Sequence, residues 1–109
     1  MHPNNGVFVY FKMHNTDTTT ARGDISLEAW QLVGVRRSGT KARIYVNGAD
    51  QTLTAPAMPD PPTSNANLLI GAGINKFNGK LWNPRIWARA LAPWEHRQIF
   101  NRERDLFGV

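Results

Sequence analysis

The carboxylates are the first side chains to consider for chemistry, because the chain has eight of them and no cysteine. Hydrolysis of a glycosidic bond needs two carboxyl groups about 5 to 9.5 Å apart, one as acid and the other as nucleophile or base. No two acids are spaced i, i+2 or i, i+4 within a predicted strand, and Glu103 and Asp105 stand at the end of a predicted helix. We therefore expect no catalytic residue and no enzyme activity from Asp17, Asp24, Glu28, Asp50, Asp60, Glu95, Glu103 and Asp105.

Metal-binding chemistry has little support in the sequence. The histidines form no paired metal-ligand spacing, since the three are His2, His14 and His96. Some oxygen ligands for calcium could come from Asp60, Asn65 and Asn67, but a single carboxylate among amides would bind the ion weakly. We expect no metal and no cofactor.

Aromatic and arginine side chains are the candidates for binding a ligand. A sugar ring presents apolar C–H patches together with hydroxyls, which suits an aromatic face beside a planar polar group. The predicted ligand-binding residues are Tyr45, Arg43, Trp82, Arg85 and Trp87. Tyr45 is the residue that packing explains least. A core position is favoured for Trp30, and core or interface packing is favoured over ligand contact for three tryptophans, Trp82, Trp87 and Trp94.

Short strands must position these residues. Residues 42–46 alternate, which places Ala42, Ile44 and Val46 on one face and Tyr45 on the other, and Asn-Gly follows at once as a strong hairpin signal. Further strands are predicted at residues 7–12, 30–36, 50–54, 68–71 and 80–88, with a bulge near Pro84. The proline-rich residues 55–64 are predicted to be an extended connection. The polar residues 15–24 are predicted to be a loop or a poor edge strand.

The periodicity changes to that of a helix after Leu91. Pro93 suits the first helical turn, and His96, Ile99 and Phe100 are spaced i, i+3, i+4 along one face. We expect one helix of about two to three turns, followed by an apolar tail, residues 106–109, that docks on the domain. A partly buried His96 packed on the sheet is favoured over a ligand or a general base.

Composition and charge set the class of protein. A chain of 109 residues with 41% hydrophobic residues suits one domain, residues 1–109, with one core. The net charge is +5, but the basic residues are spread along the chain, which argues against a nucleic-acid-binding protein. No apolar run is long enough to cross a bilayer, and the first residues lack the pattern of a signal peptide. The location is therefore unknown: a cytoplasmic protein, a virion-associated protein and a chain cut from a longer precursor all stay open.

Several segments in order carry a family resemblance. They are AWQLVGVRR (residues 29–37), RIYVNG (43–48), LLIG (68–71), FNGKL (77–81) and RIWARAL (85–91). Together they resemble the laminin-G-like branch of the concanavalin A-like lectin/glucanase superfamily, over about residues 28 to 107. The resemblance implies an all-β fold, a jelly-roll-type antiparallel β-sandwich with one short C-terminal helix. Short strands between turn signals point independently to a sandwich or a barrel.

Two departures from the family pattern bear on function. Only about 28 residues precede the first matching segment, so the sandwich is expected to be shortened, and an open sheet edge would favour a homo-oligomer or a partner chain that completes it. Trp82 and Asn83 stand where the family often has two acidic residues, which leaves a metal or ligand role of that acidic pair without support.

Two functions follow from the sequence as alternatives. The first is a non-enzymatic lectin-like binding module whose ligand is a glycan or a protein such as a glycoprotein. The second is a structural or assembly protein, for example a phage virion surface or adhesion component, whose sandwich packs against copies of itself. The resemblance favours the first function, and the missing signal-peptide pattern together with the expected missing strands favours the second.

Overall fold

The computed structural model describes residues 10–13, 16–20, 29–58, 69–70 and 79–108. Within these residues, six strands form two three-stranded antiparallel sheets, with the strand orders β1-β2-β6 and β3-β4-β5. The strands are β1 (Tyr10–Met13), β2 (Thr16–Thr20), β3 (Val33–Ser38), β4 (Lys41–Val46), β5 (Ala49–Asp50) and β6 (Thr52–Thr54). The α-helix of the described residues, α1 (Pro93–Glu103), continues into a 3₁₀ turn at Arg104–Leu106.

A tight turn sets the register of β4 and β5. Asn47 and Gly48 join β4 to β5 with φ values of 52° and 81°, and positive φ at both central residues is the signature of a type I′ hairpin turn. The predicted Asn-Gly hairpin is therefore confirmed. The Asn47 side chain also accepts a hydrogen bond from the Leu32 backbone N–H at 3.0 Å, which extends the pairing beyond the start of β3.

Thr52 joins the second sheet to the first. Its hydroxyl accepts a hydrogen bond from the Ile44 N–H at 2.8 Å, while the Gln51 N–H donates to the Ile44 carbonyl at 2.9 Å. The backbone of β4 is thus satisfied at the point where the chain leaves β5 and enters β6.

Strand β4 is the centre of the core. Ala42, Ile44 and Val46 are buried on one face, as predicted, and Tyr45 is buried on the other face. Since α1 covers the Tyr45 face through His96, the opposite face of β4 is left for the strands of the β1-β2-β6 sheet, which β4 approaches. Both faces of this strand are therefore covered.

The polar segment after β1 is a strand. Residues 15–24 were expected to form a loop or a poor edge strand, but β2 occupies Thr16–Thr20 and pairs with β1 on one side and β6 on the other. The threonines in this segment are β-branched and favour extended backbone. The expectation is wrong here, because pairing on both sides makes β2 the central strand of its sheet.

Residues 80–88 were predicted to be the last long strand, and this prediction is wrong. Within residues 79–92, all of which the structure describes, the backbone has no strand. Pro84 lacks an N–H for a sheet ladder, Asn83 has a φ of 52°, and Arg85 Nε folds back to donate to the Asn83 carbonyl at 3.2 Å. The expected bulge at Pro84 is also wrong, since there is no strand to carry it.

Other predicted elements are described only in part. Leu69 and Ile70, from the strand predicted at 68–71, are described but not in a strand. Residues 55–58 of the predicted connection have no regular structure, and Met58 anchors them, since its side chain is fully buried and its N–H donates to the Thr40 carbonyl at 2.6 Å. Residues 7–9, 59–68 and 71–78 lie outside the described residues.

Helix α1 starts where the sequence predicts. Pro93 is in its first turn, and the Glu95 carboxylate accepts a hydrogen bond from the Ala92 N–H at 2.8 Å, which is half of a capping box. The same carboxylate binds both terminal nitrogens of Arg89, at 2.8 and 2.7 Å. The predicted helix of two to three turns is confirmed, and Phe107 of the tail packs on Trp30 with 4.6 Å between ring centroids.

The cap of α1 gives a pH-dependent prediction. Hydrogen bonds from Arg89 and from the Ala92 N–H lower the pKa of Glu95 to about 2. A carboxyl group with a lowered pKa stabilises the fold above its unfolded pKa, and this contribution is lost as the pH falls from about 4.5 towards 2. A ¹³C NMR titration of the side-chain carboxyls is expected to show this value for Glu95. The control Arg89→Met should raise the pKa, and a wild-type value near 4.5 would contradict the prediction.

Candidate functional site

A wide cleft lies beside strand β3. Its walls are formed by residues 29–35 and residues 79–87, and α1 and the tail after it contribute Ile99, Phe100 and Phe107. It encloses about 1590 Å³. We call it the tryptophan cleft, because three tryptophans line it, namely Trp30, Trp82 and Trp87.

The tryptophans keep much of their surface open to solvent. Trp87 is 43% exposed and Trp82 is 48% exposed, while the ring of Trp82 meets Phe107 edge-on at 5.2 Å between centroids. Trp30 was expected in the core, but it is 37% exposed and lines the cleft. That expectation is wrong because, within the described residues, β3 pairs only with β4, so no neighbouring strand covers this side.

Arg85 is held in place at the cleft wall. Its terminal nitrogen Nη2 donates to both carboxylate oxygens of Glu103 on α1. Its guanidinium lies 5.9 Å from the centroid of the Trp87 ring, which is within range of a cation–π interaction. A fixed planar donor therefore stands beside an open aromatic face.

The structure divides the predicted site residues into two groups. Trp82, Arg85 and Trp87 come together on one wall of the tryptophan cleft, whereas Tyr45 and Arg43 do not line it. Tyr45 and Arg43 lie on the face of the β3-β4-β5 sheet that α1 covers in part, because they alternate with the buried Ala42, Ile44 and Val46.

Tyr45 is fully explained by packing. Its side chain is 3% exposed, and its ring stacks on His96 with 4.0 Å between centroids and 3° between planes. The interpretation that packing explains Tyr45 least is wrong, because α1 covers this face of β4. The prediction for His96 is confirmed, since the imidazole is buried against the sheet.

Arg43 forms an ion pair at the surface. Its Nε donates to Asp50 Oδ2 at 3.1 Å, and the Thr52 N–H donates to Asp50 Oδ1 at 2.9 Å. Burial raises the pKa of Asp50, but the hydrogen bonds from Thr52 and the charge of Arg43 outweigh it, so the pKa lies below its ordinary value. Arg43 and Asp50 on this face are therefore already paired with each other.

Sequence reasoning missed two residues of the cleft. Glu103 was assigned to the frayed end of the helix, but it fixes Arg85, which is 18 residues away. Phe107 was expected to dock on the domain, but not to line a cleft with two tryptophans. No local spacing signals either role, because both contacts join α1 or its tail to distant segments.

The described part of the chain shows neither a cluster of metal-binding side chains nor a membrane-spanning helix. Residues 10–13, 16–20, 29–58, 69–70 and 79–108 contain no group of three or more histidine, aspartate or glutamate residues placed to hold a metal ion. The possible calcium ligands Asp60, Asn65 and Asn67 lie outside these residues, as do His2 and His14. The one described helix is too short and too polar to span a membrane.

Comparison with known proteins addresses the fold. No curated protein matches this sequence. The chain is similar to the crystal structure of an S-layer domain-containing protein (residues 221–444) from Clostridium thermocellum, with a TM-score of 0.62 and 19% sequence identity. The match covers 78% of this chain and 45% of that one, so the chain spans less than half of the solved structure it resembles. At this identity the likeness concerns the fold alone.

A family model places the sequence. The model Laminin_G_3, described as the concanavalin A-like lectin/glucanases superfamily, matches residues 1–95. This family implies a β-sandwich, and the described residues contribute two three-stranded antiparallel sheets that contact each other through β4. The chain therefore belongs to the concanavalin A-like lectin/glucanases superfamily.

Proposed function

We propose that this domain is a non-enzymatic, lectin-like binding module that takes a carbohydrate into the tryptophan cleft. The observation that carries the proposal is the cleft wall on which the exposed Trp82 and Trp87 lie with Arg85, an arginine that Glu103 fixes in position. Sugar rings bind aromatic faces through their C–H patches, and a planar guanidinium donates to their hydroxyls. We also propose that the fold is a jelly-roll-type β-sandwich and that the tryptophan cleft lies on it.

The acid content of the cleft supports binding without catalysis. Among the described residues that line it, Glu103 is the one carboxylate, and it is paired with Arg85. Glycoside hydrolysis needs two carboxyl groups, one of which must be able to give a proton. In this proposal Glu103 positions Arg85, with which it is already paired, and has no role in catalysis.

An assembly role is the second candidate, and it has its own observation. Several apolar side chains of the described residues are exposed, including Leu53 at 66% and Ile86 at 75%. Contact with another copy of the chain would remove such surface from water. In that role the domain would be a structural component whose sheets pack against its own copies.

The test of the lectin-like function is a set of tryptophan substitutions. The wild-type protein is applied to an array of neutral and acidic oligosaccharides, and affinity for the sugar that binds is measured by calorimetry. Trp82→Ala and Trp87→Ala are each expected to weaken binding at least tenfold, since losing a central aromatic contact costs roughly 1.4 kcal/mol or more.

Trp94→Ala is the matched control. This tryptophan is on α1, is 65% exposed and does not line the cleft, so its removal should change the affinity less than about twofold. An equal loss in all three variants would contradict a site in the cleft. A flat array, with a stable oligomer seen by light scattering at low and high salt, would favour the assembly role instead.

A further inference from the structure

The imidazole of His96 occupies a slot that only glycine leaves open. Gly34 on β3 is directly opposite Tyr45 on β4 in the sheet register. A Cβ atom at Gly34 would lie 2.8 Å from Nδ1 of His96, closer than real Cβ contacts come, and 3.0 Å from Cε1, which is also tight. The ring thus lies against the Gly34 backbone and stacks on Tyr45 at the same time.

The slot suits a neutral imidazole and not a charged one. His96 is 6% exposed, and its Nε2 atom is buried without a hydrogen-bond partner. Protonation turns both ring nitrogens into donors and places a positive charge on the ring. A buried charge whose Nε2–H group has no acceptor costs much more free energy than the neutral ring.

Among the described residues, each element packed against the ring brings a charged or titratable group to it. They are Arg36 from β3, Tyr45 from β4, Asp50 from β5 and Glu95 from α1 itself. Burial lowers the pKa of His96 most, and the positive charge of Arg36 lowers it further. The carboxylates of Asp50 and Glu95 act in the opposite direction, but each is already paired with an arginine.

We propose that His96 is a pH-sensitive latch, which holds α1 on the sheet while neutral and releases it when protonated in mild acid. Release would also move Glu103, which sits on the same helix and fixes Arg85 at the tryptophan cleft. The latch itself needs no ligand. It can therefore be tested independently of the proposed carbohydrate binding.

The direction of the pH effect follows from linkage. Released α1 exposes His96, whose pKa is then the ordinary value of about 6.5. Because the docked ring has a lower pKa, protons bind the released state first. The docked state keeps its full stability above about pH 6.5 and loses it as the pH falls from there through the docked pKa.

Hydrogen exchange of the α1 amides measures the release directly. After correction for intrinsic exchange, the opening constant of α1 is expected to rise between pH 7.5 and pH 5, by at most about 30-fold for a single proton taken up below pH 6.5. In His96→Phe, whose ring can stack on Tyr45 but cannot titrate, the change should be less than about twofold. The control His14→Gln should keep the wild-type response.

The wild-type protein alone provides a second test. An NMR titration of the histidine Cε1 protons should give His96 a pKa below 6.5, with the α1 signals changing over the same pH range. A His96 pKa at or above 6.5 would overturn the proposal. An equal pH response in wild type and His96→Phe would do so as well, and if His96→Phe does not fold, the titration and the neutral variant His96→Gln decide.

Discussion

Replacing Ile44 with alanine is expected to lower the free energy of unfolding by about 2–5 kcal/mol, the range found for isoleucine truncated in a well-packed core. Ile44 is at the centre of β4, is fully buried, and is opposite Val35 in the register. Its backbone is bonded to Gln51 and Thr52, so the surrounding sheet cannot collapse easily into the space left by the side chain.

Chemical denaturation monitored by tryptophan fluorescence measures this loss. The matched control is Ile86→Ala, which removes the same atoms from a side chain that is 75% exposed. The control should change the free energy of unfolding by less than about 0.5 kcal/mol. Equal losses at the two positions would show that the core is not centred on β4.

Replacing Gly48 with alanine is expected to destabilise the protein by about 2–5 kcal/mol, from two effects that add. A residue with a Cβ in left-handed backbone costs about 1–2 kcal/mol, and Gly48 has a φ of 81°. The new Cβ would also lie 2.9 Å from the Arg97 Cα and 3.1 Å from the Phe100 Cβ. Crowding of this kind costs about 1–3 kcal/mol more, because α1 must move away from the turn.

Gly39→Ala isolates the backbone effect. Gly39 has a similar φ of 64° in the turn between β3 and β4, but a Cβ there would meet nothing within 4 Å. Only the backbone cost of about 1–2 kcal/mol is expected. The difference between the two variants in thermal or chemical unfolding reports the contact between the hairpin and α1. If both variants lose the same free energy, that contact contributes nothing to stability.

Local chemistry explains which parts of the fold could be predicted. The Asn47-Gly48 turn, the alternation along β4 and the start of α1 at Pro93 depend on the residues themselves and on near neighbours. The strand at Thr16–Thr20 was missed because its polar threonines give no alternation, and pairing with both neighbours decides its structure. The strand prediction at residues 80–88 was wrong for the opposite reason. An apolar pattern predicted a strand there, but Asn83 and Pro84 interrupt it.

In the candidate site, too, the contacts between near neighbours in sequence could be predicted and the contacts between distant residues could not. Trp82, Arg85 and Trp87 are near one another in sequence, and they do meet on one wall of the cleft. Alternation placed Tyr45 correctly on the other face of β4, but it could not show that His96 covers that face. The pairing of Arg85 with Glu103 also joins residues that no local pattern connects.

The fit of His96 against Gly34 also bears on how β3 and β4 find their alignment. If β3 shifted along β4 by one or two positions, Leu32, Val33, Val35 or Arg36 would replace Gly34 opposite Tyr45. Each of these residues has a Cβ, which would stand where the imidazole must lie. Helix α1 can therefore pack fully only on the correctly aligned pair of strands. Its packing thus selects the correct strand alignment.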